Sequence, residues 1–267
     1  MGDDINTRET RFNFLRISNK DRLSQSESAS DFTVGLKNNQ AVQQTLELYI
    51  HSVSFPNVFP NIDTHNNSLT FGARSLGGAT NVQPTITIPP AFYSTAQLLV
   101  ALKNAMDTAM IPVAGTIDFT QDPLTNLISF QTTNLDGVEF FPSVASSTLA
   151  PYIGLINDIV PYTTSGTFDA IPNLAGEKVA YLHSKDIAPS QSELSNGLAV
   201  SSFVAIPIDV PYLGIQHYRP STIETSKLIF NTQTDLTTLN IKLRSTDGRI
   251  LDVGENQEII IVFKIFH

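Results

Sequence analysis

Residues Asp31–Ile62 read DFTVGLKNNQAVQQTLELYIHSVSFPNVFPNI. Phe32, Val34 and Leu36 alternate with polar residues, the period of a half-buried strand. A polar Lys37-Asn38-Asn39-Gln40 connection leads into a longer strand in which Leu46, Leu48 and Ile50 share one face. The apolar phase then slips to Val53 and Phe55. One extra residue in a strand turns every later side chain to the other face, so the slip predicts a bulge near His51-Ser52. Pro56 and Pro60 withhold ladder N–H groups, which places Pro56–Asn61 at a sheet corner or edge. The stretch thus describes one turn of an antiparallel, mainly β architecture.

Upstream, residues 1–10 are polar and charged and read as an arm. Phe12, Phe14 with Leu15, and Ile17 give a short strand, and Ser18–Ser30 a Ser-rich loop suited to partner contact. Downstream, Leu69–Phe71 and Thr85–Ile88 are strands separated by a Gly77-Gly78 turn.

At Pro89-Pro90 the period changes. Ser94-Thr95-Ala96-Gln97 fits a capping box, and Leu98, Leu99, Leu102, Ala105, Met106 and Ala109 recur at helical spacing before Pro112. Thr116–Phe119 and Leu127–Gln131 flank a hairpin turn at Asp122–Asn126, and Leu149–Ile156 forms a short helix or turn. No Lys or Arg occurs between Lys103 and Lys178, whereas Asp107, Asp118, Asp122, Asp136, Glu139, Asp158, Asp169 and Glu177 do. The helix and this acidic bias mark residues 89–176 as an α+β insertion between segments 11–88 and 177–267 of one sheet domain. Strands resume at Val179–Leu182, Phe203–Ile208, Lys227–Phe230 and Leu239–Leu243. Asp247-Gly248 supplies a tight hairpin with positive φ angles. Ile259–Phe266, almost continuously apolar, is expected with both faces buried.

A formal net charge of −9 argues against a nucleic-acid partner, since phosphate contact needs clustered Lys and Arg. Without cysteine there are no disulfides, thiolate metal sites or Cys nucleophile, which suits synthesis in a reducing compartment. The acidic start lacks the features of a secretion signal, no apolar run is long enough to span a bilayer, and the Asn66-Asn67-Ser68 sequon reads as a polar turn. The helix, with Lys103 as its one cation, lacks the basic face of an interfacial helix.

No nucleophile elbow, phosphate loop, dinucleotide fingerprint or HExxH pair occurs, so no catalytic residue and no cofactor is expected. Asp63 and His65, one residue apart, are the best metal candidates, presenting one oxygen and one nitrogen, but a site needs a third ligand. They would serve a metal-assisted hydrolase. The carboxylate pairs Asp118/Asp122 and Asp136/Glu139 have the residue types of a glycosidase, yet tryptophan is absent and tyrosines are few, so a sugar-stacking platform is hard to build. Asp209, Tyr212, His217 and Tyr218 cluster in a proline-rich loop, motivating a carbohydrate- or receptor-binding β-sandwich module as the alternative function.

Taken in order, the Phe32-Thr33-Val34-Gly35-Leu36 strand, the L-x-L-x-x-x-S-V-S-F-P-N run over Leu46–Asn57, the Ile88–Tyr93 approach to a helix and the Leu243–Leu251 hairpin before a last apolar strand form a pattern. It resembles the penton, or minor capsid, proteins of virophages, polinton-like viruses and related large double-stranded DNA viruses. The resemblance implies a single eight-stranded jelly-roll sandwich with an inserted α+β subdomain. It further implies a homopentamer at the fivefold vertices of an icosahedral capsid, contact with the major capsid protein, and a place in the virion after synthesis in the host cytoplasm. Through the insertion it implies a host receptor or fibre as partner.

Overall fold

The computed structural model describes residues 12–24, 28–36, 45–184, 193–195, 198–200, 202–221, 227–234 and 236–266. The expected arm 1–10 and the Lys37–Gln40 connection lie outside them. In chain order come β1 (Phe12–Ser18), β2 (Asp31–Gly35), β3 (Thr45–Pro56), β4 (Ser68–Ser75), β5 (Asn81–Val82), β6 (Thr85–Thr87) and helix α1 (Thr95–Ala109). Next are β7 (Thr116–Gln121), β8 (Ile128–Thr133), β9 (Leu135–Phe140), β10 (Ile159–Thr163) and β11 (Ser165–Thr167). The chain continues with β12 (Val179–His183), β13 (Glu193–Ser195), β14 (Leu198–Val200), β15 (Ser202–Pro207) and β16 (Ile215–Tyr218). It ends with β17 (Lys227–Thr234), β18 (Thr238–Arg244) and β19 (Ile260–Phe266). The fold is mainly β, and its strands pair antiparallel.

The chain divides into two compact units, Met1–Phe59 with Glu177–His267, and Pro60–Gly176. The expected boundary at 88/89 is therefore displaced. Residues 60–88 belong to the second unit, because β4 pairs with β6 and β9, and Leu69, Phe71, Ile86 and Ile88 lie in that unit's core.

In the first unit one sheet runs β1-β19-β3-β16, with β17 also on β3, and another runs β15-β12-β18-β2. Leu15, Ile17, Leu48, Ile50, Val53, Phe55, Ile261, Phe263 and Ile265 from the first sheet share one core with Phe32, Val34, Leu182, Ile206, Leu239, Ile241 and Leu243 from the second. Two sheets closing on a common apolar layer make a sandwich. The phase slip in β3 has the cause its sequence predicts. Val262 faces Ser52 but Phe263 faces Ile50, so His51 is the extra residue, and Leu48, Ile50, Val53 and Phe55 all point inward.

Four expectations are refined or overturned in this unit. In β1 the buried residues are Leu15 and Ile17, while Phe12 and Phe14 lie on the other, exposed face. β19 sits between β1 and β3, yet its burial alternates: Ile261, Phe263 and Ile265 are inside, and Val262, Lys264 and Phe266 are half-buried outside. The Ser18–Ser30 segment is tethered where it is described. The buried Asn19 side chain donates to Gln257 O (3.0 Å) and accepts from Ile259 N (3.0 Å), and Ser30 Oγ accepts from Val253 N (3.0 Å). At the Asp247-Gly248 turn, Gly248 (φ 84°) alone takes positive φ, and Gly248 N donates to Ser245 O (3.0 Å). Asp247 keeps an ordinary φ, so a longer loop replaces the two-residue turn.

The second unit holds the sheet β10-β9-β4-β5, with β6 also on β4, and the sheet β11-β8-β7. Helix α1 begins at a complete capping box: Ser94 Oγ accepts from Gln97 N (3.3 Å) and Gln97 Oε1 accepts from Ser94 N (2.9 Å). It buries Leu98, Leu99, Leu102 and Met106 among Ile117, Phe130, Phe140 and Phe168. Each such side chain contributes about 2 kcal/mol by leaving water. Lys103 Nζ donates to Ile117 O (2.9 Å) while Asp107 Oδ1 accepts from Ile117 N (2.9 Å), so helix side chains grip both ends of one β7 residue. Buried Asn61 closes the unit, donating to Tyr93 O (2.8 Å) and Leu174 O (3.0 Å) and accepting from Tyr93 N (2.8 Å). No helix among the described residues is long and apolar enough to cross a membrane.

Candidate functional site

The structure brings Asp63 and His65 together in a turn. Asp63 Oδ1 accepts from His65 N (2.7 Å) and lies 3.5 Å from its Nδ1, while Asn66 Oδ1 accepts from Asp63 N (2.6 Å). Among the described residues no group of three metal-ligating side chains forms, so this pair lacks a third ligand there. Asn66, the sequon residue, is buried and also donates to Asn61 O (2.9 Å).

The carboxylates each have a partner of their own. Asp118 Oδ1 meets Lys103 Nζ (2.9 Å), and Asp122 Oδ1 accepts from Leu124 N (2.7 Å) and Thr125 N (3.2 Å), which lowers its pKa. Asp136 accepts from Gly77 N (3.1 Å), whereas Glu139 faces the Tyr162 hydroxyl. The Asp209–Tyr218 cluster is divided by β16. Successive strand residues point to opposite faces, so His217 Nδ1 meets Ser54 Oγ (2.8 Å) outside while Tyr218 packs against the core, where burial raises its pKa.

What the structure assembles instead is an aromatic face on the outside of the five-stranded sheet. Register sets Phe12 beside Phe266 and Glu47, and Phe14 beside Lys264 and Tyr49. Phe12 packs edge-on against Phe14 (5.6 Å between centroids) and lies 5.9 Å from Phe266, which in turn meets Tyr49 at 5.1 Å. Lys264 Nζ sits 3.9 Å from the Phe12 ring centre and 4.8 Å from that of Phe266, so a cation caps the stack. Phe14 also meets the His51 ring at 4.9 Å, placing the bulge residue within the face. Arg219 Nη2 lies 3.3 Å from His51 Nε2. Desolvation, then the charges of Arg219 and Lys264, lower the His51 pKa.

Phe12 and Phe14 remain 47% and 53% exposed, an uncommon state for two contacting phenylalanines on a sheet. The sequence carried a signal for this face. Phe12/Phe14 and Leu15/Ile17 are two apolar phases of one strand, and only one phase can face the core.

No family model and no curated relative matches the chain. Among solved structures it is similar to the mavirus penton protein, a virophage protein, with a TM-score of 0.53 and 11% identity over 96% of this chain and 99% of that one. At such identity the likeness is one of fold, and it extends over nearly the whole length of both proteins.

Proposed function

We propose that this chain is a penton, a minor capsid protein that forms homopentamers at the fivefold vertices of an icosahedral capsid and contacts the major capsid protein. The observation that carries the reading is strand order. With β16 and β17 taken together as one partner of β3, and the separate β13-β14 hairpin set aside, the two main sheets of the first unit hold eight strands: β1, β2, β3, β12, β15, β16/β17, β18 and β19. Numbered one to eight in that order, they fall into sheets ordered 1-8-3-6 and 5-4-7-2. This order supports a jelly roll, two Greek keys folded over one another. The Pro60–Gly176 unit is then an insertion between the third and fourth strands. The fold-level likeness to a virophage penton supports the same reading.

The aromatic face gives assembly a physical motive. Two half-exposed phenylalanines, Phe266 and an aliphatic lysine stem form an apolar surface that a neighbouring copy covers. Closed cyclic symmetry satisfies such a face on every subunit. The function is structural rather than enzymatic, the carboxylates being engaged in local ion pairs and turns. The protein is made in the host cytoplasm, ends in the virion, and offers its inserted unit to a host receptor or fibre. Co-expression with the cognate major capsid protein tests this. The chain is expected to enter purified particles at five copies per vertex, and a chain that stays monomeric and never co-purifies with particles overturns it.

A further inference from the structure

We propose that the outward face of the β11-β8-β7 sheet binds a neutral, hydroxyl-rich ligand, a glycan segment presenting a vicinal diol. The proposal stands whether or not the chain forms pentamers. Register aligns two polar rows across the three strands: Asp118, Gln131 and Ser165 in one, Thr120, Ser129 and Thr167 in the other. Between them the row Phe119, Phe130 and Gly166 turns inward, and Phe130 is buried in the core. Nothing therefore rises between the two polar rows, which alternation sets about 7 Å apart. The result is a groove of ≈ 330 Å³ floored by backbone. Gly166 belongs to this construction, since a Cβ there would lie 2.7 Å from the Phe130 ring.

The lining selects the ligand class. A solvated sheet face usually carries long charged side chains, but these six residues include no Lys, Arg or Glu. Four are hydroxyls, each able to donate and accept, matching sugar hydroxyls in kind. Gln131 adds an amide. Ser129 Oγ and Thr167 Oγ1 bond each other (2.9 Å), which fixes one row. Asp118 is fixed from behind, as Lys103 Nζ holds its Oδ1 at 2.9 Å while also gripping Asp107 Oδ2 (2.9 Å). The second oxygen of Asp118 is left to accept from a diol, a charge-assisted hydrogen bond. The acidic surroundings disfavour phosphorylated or sulfated ligands. Without an aromatic platform each groove is weak, with Kd on the order of millimolar, and useful binding comes from several grooves on one assembly.

Saturation-transfer NMR on the full chain tests this, using methyl α-mannoside, methyl β-galactoside and methyl α-glucoside at tens of millimolar. Transfer to at least one glycoside is expected. Gln131→Ala and Asp118→Asn, each checked for an unchanged amide spectrum, are expected to weaken that binding about tenfold, the scale of one lost hydrogen bond to a charged group. Absence of transfer from all three glycosides overturns the proposal, and so does transfer that persists unchanged in the Gln131→Ala protein. Among the described residues the Gln131 side chain makes no hydrogen bond, and its backbone pairing is kept by alanine, so the substitution leaves the fold intact.

Discussion

Replacing Phe12 and Phe14 together by serine is expected to disperse the assembly while leaving the subunit folded. The two rings are 47% and 53% exposed, so together they show solvent roughly the surface of one phenylalanine, about 200 Å². Covered by a neighbour at about 25 cal/mol per Å², that area stabilises each interface by up to about 5 kcal/mol. Half coverage still gives about 2.5 kcal/mol, or roughly a hundredfold in association per contact. The subunit itself loses less. The edge-on pair, the Phe12–Phe266 contact and the Lys264 cap are each worth about 1 kcal/mol, and all lie on the solvent side of the sheet. Leu15 and Ile17, which hold β1 to the core, are untouched. Sedimentation velocity from 0.1 to 50 μM, beside a thermal melt, separates the two effects. The expected outcome is a monomer at concentrations where the parent is assembled, with a melt lowered by a few degrees. Sedimentation identical to the parent throughout refutes the assignment of this face to the interface.

Three further outcomes follow from the structure. Asn61→Ala leaves Tyr93 N, Tyr93 O and Leu174 O without the buried amide that satisfies them, and is expected to cost about 3 kcal/mol in urea unfolding; a loss below 1 kcal/mol contradicts the clamp. Gly154→Ala is expected to be worse, because Gly154 has φ 81° and its added Cβ would lie 1.9 Å from Ala170 O. Soluble Gly154→Ala protein with an unchanged melt would show that the 150–154 turn has been misread. His51 is expected to titrate below the ordinary histidine value of about 6.5 in a histidine-resolved NMR titration, and Arg219→Gln is expected to raise its midpoint. Since the folded pKa is the lower one, the unfolded chain takes up the proton first. The His51 contribution is then full above about pH 6.5 and is lost as pH falls through the folded pKa. A midpoint at or above 6.5 contradicts the placement of His51 beside two cations.

Local chemistry made much of the fold legible. The Ser94/Gln97 capping box and the 3.6-residue apolar period place α1, and the phase slip in β3 places the bulge at His51, because each feature is written within a few neighbouring residues. Pairings between distant segments were harder. β4 and β6 read as strands but not as members of the second unit, since β9, the partner of β4, was hidden where its apolar phase slips at Asp136-Gly137. β16 was concealed by prolines and read as loop, although it pairs with β3 from Val53 to Pro56. The aromatic face was not legible for a similar reason. A strand with two apolar phases does not say which faces the core until its neighbour β19 is known. Asp63 and His65 meet in one turn, and among the described residues no third ligand joins them; a ligand from a distant element is not written in a local stretch of sequence.

A five-membered ring is the proposed assembly of this chain, and it can be checked by native mass spectrometry of the purified protein with negative-stain imaging of the same sample. A species of five times the 29.2 kDa chain mass and five-pointed rings in projection are expected. A single species at 29.2 kDa across the accessible concentration range, with no rings, would contradict it.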